Sequence, residues 1–199
     1  MMHNHSGVAK AGARPTGGAL AMLFALVVLF AAALAPPASA VTKAEVDAKA
    51  DTALADLFRS IPESKKIAEA AKGVLIFPEI YKAGLLVGGA VGSGVLRVDG
   101  KVDSYYTSVA ASFGLQAGVA RFGYILFLMD QDSVDYVKRT DGWELGVGPT
   151  LVAGDAAFAK KFTTTTLESG VVYFFVNEKG AFAGAGIEGT KITQGLTGD

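Results

Sequence analysis

An α+β fold is predicted: two N-terminal helices packed on a glycine-rich, mostly antiparallel β-sheet domain, barrel-like or sandwich, with one inserted short helix. Three observations predict it. Helical periodicity is confined to roughly residues 43–72, and from Gly73 onward the chain is a succession of β-branched and aromatic runs. Those runs are punctuated by turn signals, among them Asp99-Gly100 between Val98 and Val102.

The first helix is expected over 43–59. Thr42 stands three residues before Glu45, the spacing of a capping box, and Val46, Ala50, Ala53, Leu54, Leu57 and Phe58 recur at three- and four-residue steps. Ser60 and Glu63 repeat the capping spacing around Pro62, so a second, shorter helix is expected from about Pro62 to Lys72, stopping at Gly73. The inserted helix is "SVDYVKR", capped by Asp132 and followed by Gly142. A second turn is expected at Asn177 to Gly180, between Val176 and Ala181.

Upstream of these elements lies a different composition. His3, His5, Lys10 and Arg14 fall in a polar opening without acids, Leu20 to Leu34 is apolar throughout, and "APPASA" follows at 35–40. This reads as a secretory signal cleaved after Ala40, leaving one domain over 41–199. An uncleaved anchor is the competing reading, but the apolar run is short of the ~20 residues that span a bilayer. The expected destination is the periplasm or exterior, with peripheral attachment to a membrane.

Loss of Lys10 and Arg14 leaves 16 basic against 19 acidic side chains. Such a balance carries no general electrostatic footprint for nucleic acid, so an anionic partner has to be met by a local patch. There is no cysteine, which removes disulfides, thiolate chemistry and acylation at a lipoprotein cysteine. The two histidines lie in the segment expected to be removed, so neither a Ser-His-Asp triad nor a zinc site of the usual type can be assembled. Glu79 with Asp103 is an imaginable acid–base pair, without a spacing that singles it out. Glu144, Asp155 and Glu188 read as solvated turn or edge positions. No enzyme, cofactor or metal is expected.

The stretch "KAGLLVGGAVGSGVLRV" at 82–98 invites a phosphate-loop reading, yet no helix follows it and the Lys-Ser/Thr ending is missing. A membrane-packing seam fails too, because Asp99 and Lys101 end the run. A strand whose glycines permit bending or close backbone approach remains. Basic residues stand out instead. Arg59, Lys65, Lys66 and Lys72 lie along the helical region and Lys82 opens the glycine-rich strand. Lys65 and Lys72, seven apart, share a helix face, and Ile61, Ile67, Ala68 and Ala71 form an apolar stripe beside them. That pattern suits a basic amphipathic helix on a membrane surface and equally an ordinary helix with its lysines in water.

Several segments together resemble a known family. Lys72-Gly73, Lys82-Ala83-Gly84, Gln116 with Gly118, and Lys179-Gly180-Ala181-Phe182-Ala183-Gly184 with Glu188-Gly189 resemble the SYLF domain, known in fungi as the Ysc-type actin-binding domain, over roughly 60–194. The resemblance implies a non-enzymatic module that binds phospholipid head groups through its basic N-terminal region, here Arg59, Lys65, Lys66, Lys72 and Lys82. For an exported protein it implies an anionic envelope lipid rather than phosphoinositides or actin. The alternative is a structural or protein-interaction role, in which the glycine-rich strands and Tyr105, Tyr106 or Trp143 form a surface for an envelope protein partner, although aromatics at such positions more often pack in the core or on a sheet face.

Overall fold

Thr42 and Glu45 do form the capping box that opens helix α1 (Lys43–Ser60): Thr42 Oγ1 accepts from the Glu45 amide and the Glu45 carboxylate accepts from the Thr42 amide. The structure is a computed structural model and describes residues 41–139, 142–145, 148–162, 170–180 and 190–196, with 84–87, 111–118 and 178–180 described by backbone alone. The segment read as a secretory signal lies outside the described residues.

One face of α1 is driven into the core by its heptad-like spacing, with Val46, Ala50, Ala53 and Leu57 all buried. Helix α2 (Ser64–Ala70) is shorter than the expected 62–72, and no side chain caps its start. Ser60 belongs to the last turn of α1 instead, where its hydroxyl donates back to the Asp56 carbonyl at 2.9 Å, and the cap position of α2 falls on Glu63. The chain then enters β1 (Gly73–Val98), turns at Asp99-Gly100 and returns as β2 (Lys101–Leu128). Both turn residues have positive φ, 51° and 73°, the two-residue hairpin geometry that this dipeptide favours.

Helix α3 (Gln131–Arg139) follows β2. Its cap is Asp130 rather than Asp132: Asp130 Oδ1 accepts from the Ser133 amide and Oδ2 from the Gly170 amide, both at 2.6 Å. One carboxylate thus starts the helix and anchors the strand that begins one residue later. Short strands β3 (Trp143–Glu144) and β4 (Leu151–Ala153), helix α4 (Ala156–Lys161), β5 (Val171–Gly180) and β6 (Thr190–Gln194) complete the order. The expected turn at Asn177 is not a turn. Asn177 has φ of 56° beside a register shift, and β5 continues through it to pair Lys179 with Arg121; Ala181 lies outside the described residues.

All six strands form one sheet in the order β3-β6-β2-β5-β4, with β1 on the other side of β2. Every pairing is antiparallel except β4 with β5. The sheet curls into a half-barrel, which decides between barrel-like and sandwich in favour of the former. A straight strand from Ser108 to Tyr124 would extend ~50 Å at ~3.3 Å per residue. Yet the Tyr124 hydroxyl donates to Ser108 Oγ at 2.6 Å. Glycines permit the fold-back. A Cβ on Gly92 would lie 2.4 Å from the Glu79 carbonyl oxygen and one on Gly94 2.6 Å from that of Ile76, so opposite ends of β1 approach closer than any side chain allows.

Strand alternation sorts the core onto the two faces. Ile76, Ile125, Phe127, Val172 and Phe174 meet α1, α2 and α4 on one face. Leu75, Phe77, Tyr124, Leu126 and Leu128 fill the concave face with Val134 and Val137 of α3 and with Trp143.

Candidate functional site

The helical end of the domain carries four of the five basic residues expected to contact lipid. α2 buries Ile67 completely, and Ile61, Ala68, Ala70 and Ala71 pack on the same core cluster. The apolar stripe of this helix is therefore consumed by the domain and is not available to enter a bilayer. What it leaves outward is charge: Lys65 and Lys66 are exposed on α2, and Lys72 is exposed just beyond it. α2 ends at Ala70, so Lys72 shares no helix face with Lys65; its place is fixed by its amide, which donates to the Leu128 carbonyl at 2.8 Å.

Lys65 Nζ stands 6.0 Å from the Phe58 ring centroid. Arg59, at the end of α1, pairs with Asp56 at 2.5 Å while remaining largely in solvent. Lys82 belongs elsewhere. It is half-buried, pairs with Ala120 on the hairpin and lies ten residues along β1 from Lys72, ~33 Å of extended chain.

Four other cations of the domain are committed to carboxylates. Lys49 on α1 and Arg121 on β2 both bind Glu79, at 3.0 and 2.7 Å, Arg97 binds Asp51 at 2.6 Å, and Lys138 binds Asp103 at 2.5 Å. The Tyr105 hydroxyl donates to Asp47 at 2.8 Å, with Lys43 over the Tyr105 ring. Lys65, Lys66 and Lys72 make no ion pair with any described residue. Lys43, Lys101, Arg139, Lys160, Lys161 and Lys191 are likewise exposed without an ion pair among the described residues, so lacking a partner does not by itself set the α2 lysines apart.

Glu79 and Asp103 sit in separate ion pairs. Burial works against the Glu79 carboxylate, but hydrogen bonds from Lys49 and Tyr81 with the nearby guanidinium hold it below the usual range; the Lys138 ammonium does the same for Asp103. A general acid needs a raised carboxyl, so neither is suited to the role. Asp155 caps α4 through the Phe158 amide at 2.7 Å, Glu144 is exposed, and Glu188 lies outside the described residues. Among the described residues no group of three or more His, Cys, Asp or Glu could hold a metal ion, and no helix is long and apolar enough to cross a membrane.

Of the two readings for the aromatic residues, packing holds for Tyr106 and Trp143, and the partner surface does not. Tyr106 and Trp143 are fully buried on the concave face, and Tyr105 is half-buried against α1. Bulky aromatics at inward strand positions supply core area first. The large apolar side chains that do reach solvent are Tyr81, Val91, Val109 and Val119 on the long hairpin, with Val102 near its turn and Val41 ahead of α1. Val91 faces Val109 across the ladder.

A curled, mostly antiparallel sheet backed by an N-terminal helix is what the described residues define, and residues 109–195 match the family model Ysc84, described as Las17-binding protein actin regulator. That match takes in a little under half of the chain. It is 30% identical over 131 residues to LAS seventeen-binding protein 3 of Saccharomyces cerevisiae, a match covering 62% of this chain and 28% of the yeast protein. It is 27% identical over 159 residues to Beta cell expansion factor A of Aeromonas veronii, covering 79% of this chain and 59% of that one. The chain thus spans little more than a quarter of the yeast relative it matches. The family match begins at Val109 and so includes the Gln116–Gly118 and Lys179–Gly189 segments but neither Lys72-Gly73 nor Lys82-Ala83-Gly84.

Proposed function

We propose that this chain is a non-enzymatic binding module, exported to a bacterial cell envelope after cleavage behind Ala40, that meets an anionic phospholipid surface through Arg59, Lys65, Lys66 and Lys72. Lys82 is an outlying contact at most. The observation that carries this reading is the exposure of Lys65, Lys66 and Lys72 together on and just beyond α2, without a carboxylate partner among the described residues, in the basic N-terminal region. Each basic group near an anionic surface contributes ~1 kcal/mol, and three or four together give useful attachment without any insertion. Because α2 turns its apolar face inward, the contact is electrostatic and salt-sensitive.

Co-sedimentation of residues 41–199 with neutral and anionic vesicles tests it. Binding to phosphatidylglycerol vesicles alone, lost at high salt and in a Lys65→Glu, Lys66→Glu, Lys72→Glu variant, is the expected result. Unchanged binding in that variant overturns the site.

A second reading, a protein-interaction role, is favoured by the relatives' description as Las17-binding and by the exposed apolar side chains of the hairpin. A saturable protein partner retained on immobilised 41–199 without lipid, and lost on Val109→Lys, would support it.

A further inference from the structure

A groove made of three adjoining clefts lies between α1 and the sheet. Its middle is a cleft of about 380 Å³, walled by Ala48 and Thr52 of α1 and by Pro78, Phe122 and Asn177 of the sheet, with Lys49, Glu79 and Arg121 among its lining. Lys49, Pro78 and Glu79 also line a smaller, mostly apolar cavity of about 170 Å³ toward the start of α1, where Val41, Val46, Tyr81 and Val91 gather. Asp56 and Asn177 are shared in turn with an open cleft of about 530 Å³ that reaches Arg59. Shared walls make the three neighbours, apolar at the Val41 end, with Lys49, Glu79 and Arg121 at the middle and Asp56 and Arg59 at the far end.

The charges do not cancel. Lys49, Arg121 and Arg59 face Glu79 and Asp56, three cations against two carboxylates. Lys49 and Arg121 each meet Glu79 through one nitrogen, and their side chains are 52% and 43% exposed against 17% for Glu79. An ammonium has three donors and a guanidinium five, so donors remain for an oxyanion lying over the pair. The apolar end adjoins this position directly through Pro78 and Glu79.

We infer that this groove binds one anionic amphiphile, its phosphate or carboxylate head on Lys49 and Arg121 and its apolar chain at the Val41, Val46, Tyr81 and Val91 end. The inference borrows from the proposed function only the class of ligand. Its residues are distinct from the α2 lysines, and a single molecule in a groove is a different event from attachment to a surface.

Amide chemical-shift titration of residues 41–199 tests it, since Ala40–Asp199 is a compact unit with its own core. The probes are dihexanoyl-phosphatidylglycerol below its micelle concentration, dihexanoyl-phosphatidylcholine and inorganic phosphate. Saturable shifts at Lys49, Glu79, Arg121 and Asn177 are expected with the first probe, with at least tenfold weaker binding of the other two. Ala48→Trp, which fills the cleft from an exposed helix position, and Lys49→Gln with Arg121→Gln are each expected to weaken binding at least tenfold; if the double variant unfolds, Ala48→Trp decides. The Lys65, Lys66, Lys72 to Glu variant is expected to keep groove binding whether or not vesicle attachment is lost. No saturable shift at these amides, equal affinity for inorganic phosphate or for the zwitterionic lipid, or full affinity in Ala48→Trp overturns the inference.

Discussion

Tyr124 and Ser108 belong to the same strand, sixteen residues apart, and their hydroxyls hydrogen-bond at 2.6 Å in the concave core. Since Tyr124 is wholly enclosed and donates to Ser108, replacing Ser108 with Ala leaves a buried phenol without its acceptor and is expected to cost about 1–3 kcal/mol. Tyr124→Phe removes the polar group itself and is expected to cost about 1 kcal/mol or less. Urea midpoints of the two variants and the double variant check the order; a costlier Tyr124→Phe would contradict it.

Burial raises the Tyr124 phenol above its ordinary value, so the folded state keeps its proton when the unfolded chain has released one. Its contribution is present below about pH 10 and falls as pH climbs further, because unfolding then gains a deprotonation. Melting temperature is expected to drop above pH 10, less steeply in Tyr124→Phe. Parallel slopes would show that Tyr105 and Tyr106, also raised by burial, account for the effect.

The Glu79 carboxylate is held low, so the opposite sign applies: its stabilisation is present above about pH 4.5 and lost as pH falls through the folded value. Glu79→Gln is expected to cost about 1 kcal/mol at neutral pH, given that its partners Lys49 and Arg121 are half in solvent, and to flatten the acid limb of the stability curve. Acid titrations of melting temperature for both proteins decide.

Gly92→Ala and Gly89→Ala form a matched pair. A Cβ at 92 collides with the Glu79 carbonyl at 2.4 Å, whereas at 89 it makes an ordinary 3.6 Å contact with that of Ala110. The first is expected to cost about 1–3 kcal/mol or to prevent folding, and the second under about 1 kcal/mol. Equal denaturation midpoints would mean that the ends of β1 do not meet as described.

Asp130→Ala removes the α3 cap and the bond to Gly170 together and is expected to cost about 2 kcal/mol, against little for Asp132→Ala. Thermal melts of the two separate these roles.

Local signals carried the α1 capping box, its buried stripe and the hairpin turn, because each is decided by residues a few positions apart. The sequence also carried the glycine-rich strand, but not which glycines face another backbone; Gly92 and Gly89 look alike until Glu79 is placed behind one of them. Asp130 and Asp132 both offer a cap to the same helix, and the choice falls to the one that also reaches Gly170, forty residues on. The α2 lysines were legible as cations and remain exposed. The ion triad of Lys49, Glu79 and Arg121 was not, since no periodicity links residues 30 and 42 positions apart. Tyr106 and Trp143 were legible as packing residues, but aromatic content does not reveal which side of a curled strand faces in, so their place in the concave core was not.

Two-residue closure at Asp99-Gly100 has a bearing on how the chain finds its fold. Pairing can zip outward from that turn one step at a time until Gly73 meets Leu128, so the most distant contacts of the hairpin never require a long loop to close in a single event. Helix α1 has no such route. Its polar anchors, Glu79, Arg97 and Tyr105, are spread along the zipped strands, so the helix made first along the sequence is the one that must wait for the sheet before it can dock.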